Sequence, residues 1–204
     1  MSDAIRVGVI GVGYLGRFHA RIYNDMPGVE LVGVVDTDRE TADRIAAEYD
    51  TRALYDPMAL LDQVDVVSVV VPTSLHRQVA VPYLEKGIHM LLEKPVASTL
   101  EDAKVIVETA RKHNATLQIG HLERFNAGIM ALADHVNKPR FIEAHRLGPF
   151  VERATDVDVV TDLMIHDIDI ILSLVGDKLS SIAATGTPVL TNHVDIANAR
   201  LEFT

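Results

Sequence analysis

The chain has no cysteine, which excludes disulfide scaffolds, zinc ribbons and thiol nucleophiles at once. It has no surplus of basic charge either: 19 Lys and Arg against 29 Asp and Glu leave a formal charge of −10. Nucleic-acid binding needs a basic footprint, and an anionic membrane would repel such a chain. Its longest apolar runs, such as Val66-Val67-Ser68-Val69-Val70-Val71, fall far short of a membrane span. The opening Met1-Ser2-Asp3 shows neither the basic region nor the apolar stretch of a secretory leader. Internal repeats and low-complexity segments are also missing. What these absences leave as the expectation is a soluble, cytoplasmic, globular protein.

What is there points to a packed core. Apolar residues make up 48% of the chain and charged residues 24%, a balance that supports folding rather than disorder. At 204 residues the chain is long for one domain and short for two. Up to Gly120, short β-branched runs alternate with helical patterns. Strands are expected at Ile5–Ile10, Glu30–Val35, Arg52–Leu54, Val64–Val71, Ile88–Leu92 and Thr116–Ile119. Helices are expected from Tyr14 to Met26, Arg39 to Glu48, Leu75 to Lys86, and Leu100 to His113. Thr37 or Asp38 is placed to cap the second of these, and Ser98-Thr99-Leu100-Glu101 offers a capping box to the last. Such alternation describes an α/β, doubly wound parallel sheet of the Rossmann type, here over residues 1–121.

After Gly120 the pattern changes. Phe125–Asn137 reads as a helix, Arg140–Leu147 as a strand and Asp162–Val175 as a helix. Lys178–Thr187 and Val194–Phe203 then follow as consecutive strands. Residues 122–204 are therefore expected to begin an α+β substrate domain with a mostly antiparallel sheet.

Gly11-Val12-Gly13-Tyr14-Leu15-Gly16 matches G-x-G-x-x-G, and it leaves a strand and opens a helix, the context that gives the pattern meaning. Gly11 permits the tight turn, Gly13 lets the backbone approach a pyrophosphate, and Gly16 lets the helix pack close to the sheet. The N–H groups of Tyr14 and Leu15 then face the phosphates at the positive helix end. Asp36 ends the second strand, twenty residues beyond Gly16, where a carboxylate accepts hydrogen bonds from an adenosine ribose and repels a 2′-phosphate; Thr37 stands beside it. NAD is thus favoured over NADP, although Arg39 is close enough to welcome that phosphate instead.

Two further loops leave strand ends on the ligand-binding edge. Pro72, Thr73, Ser74 and His76 follow the fourth strand; Thr73 and Ser74 can cap the next helix, meet the dinucleotide, or both. Glu93-Lys94-Pro95 follows the fifth. In the second domain Asp162, His166 and Asp169 are spaced i, i+4, i+7 and share one face of an otherwise apolar helix. Three readings of that stripe stay open: a surface ion pair, a divalent-metal site, or an acid/base histidine oriented by Asp162. Arg124, at the entry to the second domain, can grip a phosphate or carboxylate or form an ordinary salt bridge.

The turn glycines, the Thr-Ser-x-His loop and Glu-Lys-Pro occur in order at the right strand ends. The chain therefore resembles the glucose–fructose oxidoreductase/inositol dehydrogenase (Gfo/Idh/MocA) family, which also has an Asp-x-x-x-His-x-x-Asp helix. The resemblance implies a catalytic set of Lys94, Asp162 and His166, with no metal. It implies that Lys94 reaches nicotinamide and substrate, that Glu93 helps hold the nicotinamide ribose, and that the Lys94–Pro95 peptide is a candidate for cis. Lys94, Arg124, Asn126 and Asp169 are the candidate substrate contacts. The family's glycines around the aspartate are replaced by Val159, Val160 and Met164, a departure that touches substrate shape. Glu123–Asn126, Phe141–Leu147 and Asp156–Asp167 are similar to a bacterial branch that oxidises UDP-N-acetylglucosamine at C3.

The implied activity is NAD-dependent oxidation of a sugar or nucleotide-sugar hydroxyl carbon, with His166 taking the hydroxyl proton and Lys94 stabilising the oxygen, or Lys94 itself acting as base. A non-catalytic NAD- or sugar-binding sensor on the same fold is the alternative, and a metal-dependent hydrolase a distant third. Relatives continue well past this length to complete an open sheet often used for dimerisation. A shortened chain, homo-oligomeric at full length, is therefore expected.

Overall fold

A computed structural model describes residues 4–148, 158–176 and 178–204. Met1–Asp3 and the Asp156 and Val157 of the last segment likeness lie outside the described residues. The chain divides into two compact units, Met1–Gly120 and His121–Thr204.

The first unit alternates strand and helix except between its third and fourth strands, which a 3₁₀ turn (Pro57–Leu60) connects. Its strands are β1 (Ile5–Ile10), β2 (Val29–Val35), β3 (Arg52–Leu54), β4 (Val66–Val69), β5 (His89–Leu92) and β6 (Leu117–Ile119). Its helices are α1 (Gly16–Asp25), α2 (Arg39–Glu48), α3 (His76–Glu85) and α4 (Leu100–Lys112). All strand pairs are parallel, in the order β3-β2-β1-β4-β5-β6. That order reverses between β1 and β4, the switch point outside which ligands bind in such sheets.

Side chains of successive strand residues point to opposite faces, so β1 feeds two cores at once. Val9 joins Val34, Ala20 and Ile45 on one face, while Ile10 joins Val69, Leu84 and Ile106 on the other. The β-branched run at β4 is buried on both sides, as a central parallel strand must be. Asp38 caps α2 as the sequence suggests, and the cap of α4 falls one residue later than the capping box places it, at Thr99 rather than Ser98. Asp38 accepts the N–H of Glu40 to start α2 at 3.2 Å, and Thr99 accepts that of Asp102 to start α4 at 3.1 Å. Thr73 and Ser74 cap nothing: they lie inside a 3₁₀ turn, Thr73–Leu75, that runs straight into α3.

In the second unit a 3₁₀ turn (Leu122–Phe125) precedes α5 (Ala127–Ala133), and a π turn (Val160–Met164) leads into α6 (Ile165–Val175). The strands β7 (Leu179–Thr187) and β8 (Ile196–Phe203) pair antiparallel. Their connection is pinned by Asp195, whose carboxylate accepts the N–H groups of Thr191, Val189 and Leu190 and is held well below the usual carboxylate range by them.

Two expectations for this unit need correction. Phe125–Asn137 is not one helix from its start, because Asn126 is extended and its side chain accepts the N–H of Gly128 at 3.0 Å, so α5 begins only at Ala127. Arg140–Leu147 is not a strand. A β ladder needs a neighbouring backbone to supply its hydrogen bonds, and among the described residues none does. That segment is anchored instead by Arg146, which forks onto Asp167 of α6 at 2.8–3.1 Å.

Candidate functional site

The glycine turn shows three different spatial demands. Gly11 has φ +83°, and a Cβ there would stand 2.4 Å from the carbonyl oxygen of Val70. Gly16 is tighter still: its Cβ would lie 1.8 Å from the carbonyl oxygen of Gly11, so the start of α1 rests directly on the turn. Gly13 has nothing within 4 Å and an ordinary backbone conformation. Packing therefore explains two of the glycines, while the third faces open space. Tyr14 and Leu15 are exposed at this end of α1, where backbone N–H groups and the helix dipole favour an anion.

Asp36 lies next to that turn. Its Oδ2 accepts the N–H of Val12 and its Oδ1 that of Asp38, both at 3.0 Å. A carboxylate has about four acceptor sites, so these bonds orient it and leave capacity for a diol. Thr37 is exposed beside it. Arg39 lies with its guanidinium 4.2 Å from the centre of the Tyr55 ring, and the Tyr55 hydroxyl donates to Asp43 at 2.7 Å. The Arg39 guanidinium is thus stacked on an aromatic face.

Pro72, Thr73 and Ser74 stand at the carboxyl end of β4, on the same edge, with Pro72 and Ser74 exposed. His76 does not. It is fully buried, and its ring nitrogens lie 3.2 Å from the Val96 carbonyl and 3.0 Å from the Val71 carbonyl. Rather than offering its ring to a ligand, His76 links the loop after β4 to the segment after Pro95. The Lys94–Pro95 peptide is cis, as expected from the resemblance.

Glu93 is buried at the end of β5. Its Oε2 accepts the Lys94 N–H at 3.3 Å, and a Cβ on Gly120 would press to within 2.7 Å of Oε1. On its other side is His19 of α1, with Nε2 3.3 Å from Oε1 and Nδ1 2.7 Å from the Ser68 hydroxyl. The sequence reading missed His19 and Ser68. The available signal was a histidine three residues past Gly16, on the sheet-facing side of α1, opposite the single hydroxyl of an apolar central strand.

In the second unit the polar stripe divides. Asp162 lies in the π turn and His166 in the first turn of α6, four residues apart and both half-buried. Such wide turns inside helices recur at functional sites. Asp169 does not continue the stripe toward a substrate. It is buried and receives the Arg124 guanidinium in two bonds of 2.6 Å each, which raise the arginine further above its ordinary value. Arg124 and Asp169 are thus partners of each other, and Asn126 serves as the α5 cap. Arg124→Ala should therefore destabilise the second unit by about 1–3 kcal/mol, because it strands a buried carboxylate. Thermal unfolding checks this, with Asp169→Asn expected to suffer less. A groove of about 1040 Å³ runs between residues 139–148, α6 and β8, and neither Asp162 nor His166 lines it.

Residues 5–121 match the Gfo/Idh/MocA family, described as an oxidoreductase family with an NAD-binding Rossmann fold. The chain belongs to this family. Over 196 residues it is 42% identical to UDP-N-acetylglucosamine 3-dehydrogenase from Acidithiobacillus ferrooxidans, covering 96% of this chain and 62% of that protein. It is 32% identical to an inositol 2-dehydrogenase/D-chiro-inositol 3-dehydrogenase from Lacticaseibacillus casei, covering 89% and 56% respectively. The solved structure of the Acidithiobacillus ferrooxidans enzyme superposes with a TM-score of 0.92 at 41% identity, over 98% of this chain and 66% of that one. The chain spans less than two thirds of the length of these Gfo/Idh/MocA relatives. Among the described residues, no helix is long and apolar enough to cross a membrane.

Proposed function

We propose that the protein works as an NAD-dependent dehydrogenase on a ring hydroxyl of a nucleotide sugar, with C3 of UDP-N-acetylglucosamine as the position oxidised. The observation that carries this reading is the 42% identity to a UDP-N-acetylglucosamine 3-dehydrogenase, which extends over 96% of the chain and so through both units. The turn at Gly11–Gly16, with its open approach at Gly13, supports a pyrophosphate there, and Asp36 supports an adenosine ribose. Pro72, Thr73, Ser74 and Glu93 take the nicotinamide half.

A bound nicotinamide supplies the acceptor for the hydride leaving the carbinol carbon. The chain's own residues handle the oxygen and its proton. His166 accepts the hydroxyl proton, and Asp162, one turn earlier, favours the imidazolium that results. Lys94 donates a hydrogen bond to the same oxygen as negative charge develops on it. Arg124, tied to Asp169, contributes to the substrate side through its remaining N–H groups, and Asn126 through its amide. At full length we infer a homo-oligomer acting in the cytoplasm on a small-molecule substrate.

The test is the absorbance of reduced nicotinamide when the protein is mixed with NAD and a panel of nucleotide sugars and inositols. Reduction with UDP-N-acetylglucosamine is expected; tight NAD binding with no reduction by any of the panel would make the protein a sensor. Cofactor choice has its own check. NADP should bind at least roughly tenfold more weakly than NAD, because its 2′-phosphate would meet the Asp36 carboxylate. Asp36→Ser should close that gap in a binding titration. An unchanged preference in the variant would remove Asp36 from the selection.

A further inference from the structure

Glu93 is held at its main chain, by Gly120 and by the side chain of His19. Its main chain is fixed in the sheet by the N–H of Glu93 on the carbonyl of Val69 at 3.0 Å. Gly120, whose N–H bonds the Leu92 carbonyl at 2.8 Å, closes one side at a distance that leaves no room for a methyl group. The third wall is the His19 ring. Oε1, shut off from solvent, faces His19, while Oε2 lies at the start of the Lys94 turn.

His19 is itself held. Its side chain is only 10% exposed, and Nδ1 meets the Ser68 hydroxyl, which is fully buried in β4. Tyr23 stands one helical turn further along α1; burial pushes its phenol up, with Ser68 opposing. With the Ser68 hydroxyl donating to Nδ1 of His19 at 2.7 Å, the ring proton sits on Nε2, which lies 3.3 Å from Oε1 of Glu93. The His19 ring thus spans from the buried Ser68 hydroxyl of β4 to the buried Glu93 carboxylate after β5.

We propose that His19 is a positioning residue of the dinucleotide site: with Ser68 behind it, it fixes Glu93 so that Oε2 is presented to the second ribose of the dinucleotide. The proposal rests on the reading of Glu93 given above. His19 touches no substrate and moves no proton in the reaction.

Two substitutions separate the links. His19→Asn keeps a polar group near Ser68 but falls short of Glu93; His19→Gln reaches Glu93 in place of Nε2. Binding of NADH and of ADP, which lacks the second ribose, is measured by calorimetry for each variant, for Glu93→Gln and for the double variant His19→Asn/Glu93→Gln. The expected result is a loss of roughly tenfold in NADH affinity for His19→Asn, ADP unchanged, and substantial recovery in His19→Gln. The double variant should bind NADH no worse than Glu93→Gln alone, since both changes remove one interaction. Equal loss of NADH and ADP in His19→Asn and His19→Gln would reduce His19 to packing and overturn the proposal. So would unchanged NADH affinity in His19→Asn. Failure of the unsubstituted protein to bind either ligand would instead overturn the dinucleotide reading itself.

Discussion

Gly13→Ala should leave the melting temperature of the protein where it is and weaken NADH binding by roughly a hundredfold, about 3 kcal/mol. The first half follows from the empty space around Gly13 and its ordinary backbone conformation, which alanine adopts without strain. The second follows from the proposed use of that space, close approach of a phosphate. Gly16→Ala gives the contrasting result. Its methyl carbon would overlap the carbonyl of Gly11, a backbone atom that cannot swing aside. Stability should fall by about 3 kcal/mol or more, and NADH binding should fall with it. Thermal unfolding and an NADH titration on both variants read the difference. Equal loss of stability in the two would mean that Gly13 is structural and would remove the pyrophosphate from the turn.

The second large effect concerns chemistry rather than binding. Lys94→Ala and His166→Ala should each lower turnover of the sugar substrate by about 10²- to 10⁴-fold, the usual contribution of a positioned acid, base or charge stabiliser. NADH affinity should persist in His166→Ala. Asp162→Asn acts through His166, so combining it with His166→Ala should cost no more than His166→Ala alone. Steady-state rates checked beside the binding titration make the distinction. Rates like those of the unsubstituted protein in both Lys94→Ala and His166→Ala would sink the catalytic assignment.

The parallel sheet was legible because its signals are local. The strands of the first unit are short apolar runs that alternate with helical patterns everywhere but between β3 and β4, so topology followed from the handedness of the crossovers. The glycine turn was legible for the same reason, since all of its roles lie within six residues. Arg140–Leu147 shows the limit. Its composition suits a strand, but a strand is a relation between two backbones, and sequence says nothing about whether a partner is present. Asp169 shows another. Its i+7 spacing from Asp162 is correct, yet Arg124, 45 residues away, claims its carboxylate.

Histidines were the hardest to place. His76 stands in a loop motif on the ligand edge, yet its ring turns inward to two backbone carbonyls. His19 attracts no attention in a helix of ordinary composition, yet it sits 3.3 Å from the buried Glu93 carboxylate. An imidazole bonds equally well to a backbone carbonyl, a hydroxyl or a carboxylate, and only the fold decides which of them it meets.

One measurement tests hydride transfer directly. The protein is incubated with NAD and UDP-N-acetylglucosamine carrying deuterium at C3, and the recovered dinucleotide is weighed by mass spectrometry. One deuterium on the reduced nicotinamide is the expected result. Reduced dinucleotide without the label would move the reaction to another carbon, and recovery of NAD alone beside unchanged sugar would contradict the assignment as a dehydrogenase of this nucleotide sugar.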